Sequence, residues 1–120
     1  MNKIDLKPIY WIASSREEVC SFPVKVRREI GYALHFAQAG SKHPSAKPLK
    51  GFTSAGVIEI VEDYDKGTYR AVYTTKLGNM IYVLLAFQKK SKSGIETPKY
   101  IMDLVKLRLK KAVELSKVKL

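Results

Sequence analysis

The sequence predicts a single α+β domain over residues 1–120, with elements in the order β-α-α-β-β-β-α. Three observations carry that expectation. At 120 residues and 46% hydrophobic content, the chain suits one core that buries roughly two-thirds of the unfolded surface. Apolar residues recur at helical spacing in one stretch of each half. Between those stretches lie three segments with strand composition, separated by tight-turn signals.

Residues 7–12 (KPIYWI) read as a first strand, since aromatic and β-branched side chains suit a pleated surface. Ser14, three residues before Glu17, has the spacing of a capping box and predicts a short helix that includes Val19 and Phe22. Ser21 and Pro23 mark a second helix start. Its apolar positions Phe22, Val26, Ile30, Ala33, Leu34 and Ala37 share one face, and Gly40 supplies the stop. Together these predict a helical hairpin. Residues 41–50 are polar, contain Pro44 and Pro48, and read as a loop. Residues 56–64, 68–75 and 80–88 read as three strands of an antiparallel meander, with turns at Asp65-Lys66-Gly67 and at residues 76–79. After a basic loop at 89–96, Thr97 as cap and Pro98 in the first turn open a last helix running to about Lys117.

Charge is the most informative bulk property. Lys and Arg number 22 against 11 acidic residues, a formal +11, which raises the local concentration of polyanions around the protein. Nucleic-acid phosphates or an acidic partner are therefore expected in preference to a surface that is merely soluble. The lone cysteine, Cys20, can form no internal disulfide and has no companions for a zinc site, as suits a reducing compartment. The first seven residues carry no apolar run of the signal-peptide type, and the longest apolar stretch, residues 80–87, is far short of a membrane span. The expected location is the cytosol.

Three groups of residues stand out chemically. In the middle predicted strand the two-residue period puts Arg70 on one face with Thr68, Val72 and Thr74, and sends Tyr69, Ala71 and Tyr73 to the other. A mid-strand arginine needs a carboxylate or a path to water. One reading is an ion pair with Glu59 or Asp63 of the neighbouring strand; the other is a guanidinium offered bidentately to a phosphate. The second group is Lys89-Lys90-Ser91-Lys92, directly after an apolar strand. It is either an ordinary solvated run or a lysine cluster whose mutual repulsion favours proton transfer. The third is Arg108, which falls inside the apolar stripe of the last helix and must snorkel or pair with a buried acid. His35 and His43 are poor general-base candidates, and Asp63 and Asp65 end a strand at a turn, where acids are ordinary. No metal-binding or phosphate-cradling motif is present, and no cofactor is expected.

The segments Lys47-Pro48-Leu49-Lys50-Gly51, Gly67-Thr68-Tyr69-Arg70-Ala71-Val72-Tyr73, Phe87-Gln88-Lys89-Lys90, and Thr97-Pro98 through Arg108 resemble the HigB-type, phage-related branch of the RelE/ParE toxin superfamily. That resemblance implies a fold with an N-terminal helical hairpin, a twisted antiparallel sheet and a C-terminal helix. It also implies the toxin of a type II toxin–antitoxin system, neutralised by a cognate antitoxin, often of helix-turn-helix type. RelE and HigB members cut mRNA on the ribosome without metal, using the RNA 2′-hydroxyl as nucleophile. By the resemblance Arg70 stabilises charge on the phosphorus, Lys89 and Lys90 are further catalytic cations, and Lys50 holds the RNA backbone; Lys92, in the same basic run as Lys90, is a further expected RNA contact. Tyr73 and Phe87 would stack on bases; core packing is the simpler role for both. This chain departs from relatives that use histidine, aspartate or a late tyrosine, and it carries Val61 where many have arginine. The ParE branch inhibits DNA gyrase instead, and a non-catalytic RNA-binding protein is a third expectation.

Overall fold

The computed structural model describes residues 5–89 and 97–118. The elements are β1 (Ile9–Trp11), α1 (Ser15–Cys20), α2 (Val24–Gln38), β2 (Ala46–Pro48), a 3-10 turn (Thr53–Ala55), β3 (Val57–Tyr64), β4 (Gly67–Leu77), β5 (Met80–Lys89) and α3 (Lys99–Ser116). They build one five-stranded sheet in the order β1-β5-β4-β3-β2. The segments β3, β4 and β5 pair antiparallel in sequence, and β2 adds antiparallel to β3. The sheet is nevertheless mixed, because β1 lies parallel to β5 with Ile9, Tyr10 and Trp11 opposite Ile81, Tyr82 and Val83. This corrects the expectation of a wholly antiparallel sheet: the chain leaves β1 through two helices and returns from the far side, so the edge pairing is a crossover.

A second correction concerns residues 41–50, expected as loop. Ala46–Pro48 forms β2, with Lys47 opposite Glu59. Proline lacks the N–H that a central strand must donate, but an edge strand tolerates it, so Pro48 does not prevent the pairing.

The two faces of the sheet carry separate cores. Alternation on β4 sends Tyr69, Ala71 and Tyr73 toward α2, where they meet Val26, Ile30, Ala33, Leu34 and Ala37. Val72 faces the other way, with Val57, Leu84 and Leu85, beneath Ile101, Val105 and Ala112 of α3. The register shifts in β5, from Val72 opposite Leu85 to Tyr73 opposite Val83, so Leu84 is the extra residue of a bulge. As a result Leu84 and Leu85 both join the α3 core while Val83 and Ala86 join the α2 core. A one-residue insertion of this kind is what breaks a strict two-residue alternation. The main neighbour of α1 is β5 and that of α2 is β3, so each helix is set by the sheet more than by the other.

Helix ends follow backbone chemistry more than the capping side chains expected. The α2 helix stops at Gly40, whose φ of 85° lets Ser41 N–H reach back to Phe36 O at 2.8 Å. Ser14 occupies the N-cap of α1 but makes no capping bond; its hydroxyl is drawn to Glu18 and Arg108 instead. Thr97 does not cap α3 either, because the N-cap falls on Pro98.

Candidate functional site

Register alone brings charge together on the α3 side of the sheet. Lys47 of β2 sits opposite Glu59 of β3, Glu59 opposite Val72 of β4, and Arg70 two residues along β4, opposite Val61 and Phe87. Residues directly opposite share a face, so Lys47, Glu59 and Arg70 all project from the same side. Arg70 Nη1 donates to both Glu59 oxygens at 3.2 Å. The pair is deep: the Arg70 side chain is 9% exposed and that of Glu59 6%. Lys47 Nζ approaches the same carboxylate at 3.8 Å, but Lys47 is 58% exposed. Arg70 Nε is buried and has no hydrogen-bond partner among the described residues. An orphaned buried N–H costs about 1–3 kcal/mol, so this guanidinium is held in place without being satisfied.

Of the two readings of Arg70, the ion pair with Glu59 is therefore present. The alternative partner, Asp63, accepts from Thr68 Oγ1 at 2.9 Å. Lys89 pairs with Thr68, two residues from Phe87 on β5, and so shares the Arg70 face. Lys90 and Lys92 lie outside the described residues. Phe87 is half-buried, opposite Arg70, and lines an open groove of about 510 Å³ with Phe22, Tyr69 and Gln88 at the β5 edge.

Two expected contacts do not gather here. Tyr73 is 1% exposed and lies in the α2 core, on the opposite face from Arg70, so its ring has no surface to offer a base. Burial pushes its hydroxyl pKa up to about 12. Lys50 is exposed in the turn after β2, beyond Leu49, whose N–H bonds to Val57 O. Val57 stands opposite Thr74, four residues from Arg70, or about 13 Å along the strand. Lys47 is the lysine of that segment nearer Arg70. The sequence marks residues 41–50 as loop, and only a strand there places Lys47 opposite Glu59.

Arg108 pairs with an acid, Glu18, that is half-buried. Its Nη1 donates to Glu18 Oε1 and Leu84 O, both at 2.9 Å, and its Nη2 donates to Glu18 Oε2 at 3.0 Å and Ser14 Oγ at 3.1 Å. Glu18 Oε1 also accepts from Ala86 N–H at 3.1 Å. Burial pushes the Glu18 carboxyl up. The hydrogen bonds from Arg108, the Ala86 amide and Ser14, with the Arg108 charge, outweigh it and hold the group below the usual carboxylate range. This cluster ties α1, β5 and α3 together and is structural. Neither histidine joins a site: His35 is exposed on α2, and His43 accepts from Ser45 N–H and faces Glu29. Among the described residues no group of three or more His, Cys, Asp or Glu is placed to hold a metal ion. None of the described helices is long and apolar enough to cross a membrane.

The fold and site define a small, strongly basic α+β protein that holds a guanidinium, its carboxylate and an exposed lysine on one face of a mixed sheet. The chain belongs to the phage-derived Gp49-like protein family (DUF891), whose model matches residues 17–110. No curated protein is significantly similar to it. Among solved structures it is similar to a chain of the toxin–antitoxin complex RelBE2 from Mycobacterium tuberculosis, with 17% identity and a TM-score of 0.45, over 76% of this chain and 100% of that one.

Proposed function

We propose that this protein is the toxin of a type II toxin–antitoxin system and cleaves mRNA on the ribosome. The observation that carries the reading is Arg70, buried on a sheet face with its Nε unpartnered among the described residues and with Lys47 and Lys89 on the same face. In the reaction the RNA 2′-oxygen attacks the adjacent phosphorus as its proton leaves. The P–O5′ bond breaks and the 5′-oxygen takes up a proton, giving a 2′,3′-cyclic phosphate and a 5′-hydroxyl. No metal is needed if fixed cations meet the charge that develops on the phosphoryl oxygens, and preorganised donors do this well. Arg70 has that role, and Lys89 or Lys90 shares the proton transfer. Phe87, half-buried beside the groove, is the aromatic surface available to a base. The partners are mRNA on the cytoplasmic ribosome and a cognate antitoxin, whose acidic segment is drawn to the +11 surface.

A second reading follows from the depth of the Arg70–Glu59 pair, which also serves a purely structural purpose. In that case the protein is a gyrase inhibitor or a non-catalytic RNA binder. Purified protein added to a translating bacterial extract, with primer extension on a reporter message, separates the readings. New 5′ ends that require active ribosomes, and that disappear in a folded variant lacking Arg70, support the nuclease. An intact message rejects it.

A further inference from the structure

Two cations on different strands converge on one oxygen. Glu59 Oε1 lies 3.2 Å from Arg70 Nη1 and 3.8 Å from Lys47 Nζ. A carboxylate held between a guanidinium and an ammonium occupies the kind of position a phosphate oxygen would occupy. The two cations differ in freedom. Arg70 is 9% exposed and fixed, whereas Lys47 is 58% exposed on an edge strand, at a distance that is an ion pair and not a tight hydrogen bond. Lysine is a flexible point charge suited to such exchange. A second feature concerns the same guanidinium: Arg70 Nε is buried and has no acceptor among the described residues, so Arg70 keeps a donor that Glu59 does not use.

We infer that Lys47 is a phosphate-binding residue of the Arg70 face, parked on Glu59 in the free protein and transferred to an RNA phosphodiester when RNA binds. The inference rests on the proposed RNA-directed function and deepens it by naming a contact and its resting partner. Glu59 then holds Arg70 in position and supplies the site's internal counter-ion, so the cations do not repel one another before RNA arrives. Lys47 thus takes the backbone-binding role that the sequence resemblance assigned to Lys50.

The test uses a fluorescein-labelled single-stranded RNA hexamer, 2′-O-methylated throughout so that it cannot be cut, with anisotropy measured over a range of salt. Each phosphate contact to a single strand contributes about 0.7 to the slope of log K against log salt. Lys47→Ala should lower that slope by about this amount and weaken binding several-fold. Lys47→Arg should restore both, and Lys106→Ala, on the exposed side of α3, should leave the slope near wild type. Because Lys47 is exposed, Lys47→Ala should melt like wild type, which removes misfolding as a cause. The inference is overturned if Lys47→Ala behaves as Lys106→Ala does, if Lys47→Arg fails to rescue, or if wild type does not bind the hexamer. The two readings fail separately. Lys47-dependent binding by a protein that cuts no message leaves this inference standing and removes the nuclease. Cleavage by a protein whose binding ignores Lys47 does the reverse.

Discussion

Removing Arg70 should destabilise the fold as much as it disables any chemistry. The Glu59 side chain is 6% exposed and takes both Arg70 hydrogen bonds at 3.2 Å. Arg70→Ala leaves that carboxylate buried without its principal partner, a change that costs about 3–5 kcal/mol when one member of a buried pair is deleted. Lys47 remains at 3.8 Å from the carboxylate and is largely solvated, so it offsets part of the loss and places the expected value near 3 kcal/mol, the lower end. Domains of this kind have roughly 5–15 kcal/mol in all. At about 4 °C per kcal/mol for this chain length, the melting temperature should fall by about 12 °C. The companion variant replaces both partners by apolar groups of similar size, Glu59→Leu with Arg70→Met, and should melt well above Arg70→Ala because no unpaired charge is left. Thermal unfolding followed by circular dichroism decides the matter. An Arg70→Ala protein melting within about 3 °C of wild type, or a double variant no more stable than the single one, would show that the pair is not a buried charge problem at all. The double variant is also the proper control for cleavage, since it lacks Arg70 without carrying the fold defect.

Three further outcomes follow from particular side chains. The folded pKa of Glu18 lies below its ordinary value of 4.5, so its stabilisation is present above that pH and is lost as pH falls through the folded value; Glu18→Gln should flatten the acid limb of a urea-stability profile and leave the alkaline limb unchanged. Tyr73 has the opposite sense: its folded pKa of about 12 exceeds the ordinary 10.0, so stability is intact below pH 10 and declines as pH rises through 12. Tyr73→Phe should remove that decline, measured by denaturation from pH 9 upward at about half-unit steps. In the β3–β4 turn both Asp65 and Lys66 have positive φ, 49° and 66°, a conformation that costs a non-glycine residue about 1 kcal/mol; Lys66→Gly should raise stability by about that amount in urea unfolding, and an unchanged midpoint would contradict the strain.

Much of this architecture was legible because it rests on local periodicity. The α2 stripe from Val26 to Ala37 and the alternation about Arg70 each follow from a repeat of 3.6 or 2, and alternation already put Tyr73 on the face away from Arg70. What could not be read depends on partners distant in sequence. Three residues of β2, one of them proline, carry no strand signal of their own and pair only because β3 presents an edge. The parallel docking of β1 on β5 needs the crossover that the sequence order does not announce. The bulge at Leu84 is invisible because both it and Leu85 are leucine. Ser14 had the spacing of a cap, but Arg108, 94 residues away, supplied a stronger claim on its hydroxyl. For the candidate site, Arg70 and its pairing with Glu59 were within reach of the strand pattern, whereas Lys47 needed β2.

The short length of β1 leaves one more consequence. Its pairing with β5 ends at Val83, where Ile12 N–H makes the last backbone bond. Beyond it β5 continues to Lys89, and on the β1 side no strand among the described residues lies beside it there. Two groups that a sixth strand would have engaged are met by side chains instead: Leu84 O accepts from Arg108, and Ala86 N–H donates to Glu18. A strand edge without a partner strand is a template for another chain unless something covers it. Glu18 and Arg108 therefore act as a stopper against self-assembly, and acid that protonates Glu18 weakens it. Aggregates formed at low pH should accordingly grow from β5, by strand addition between molecules.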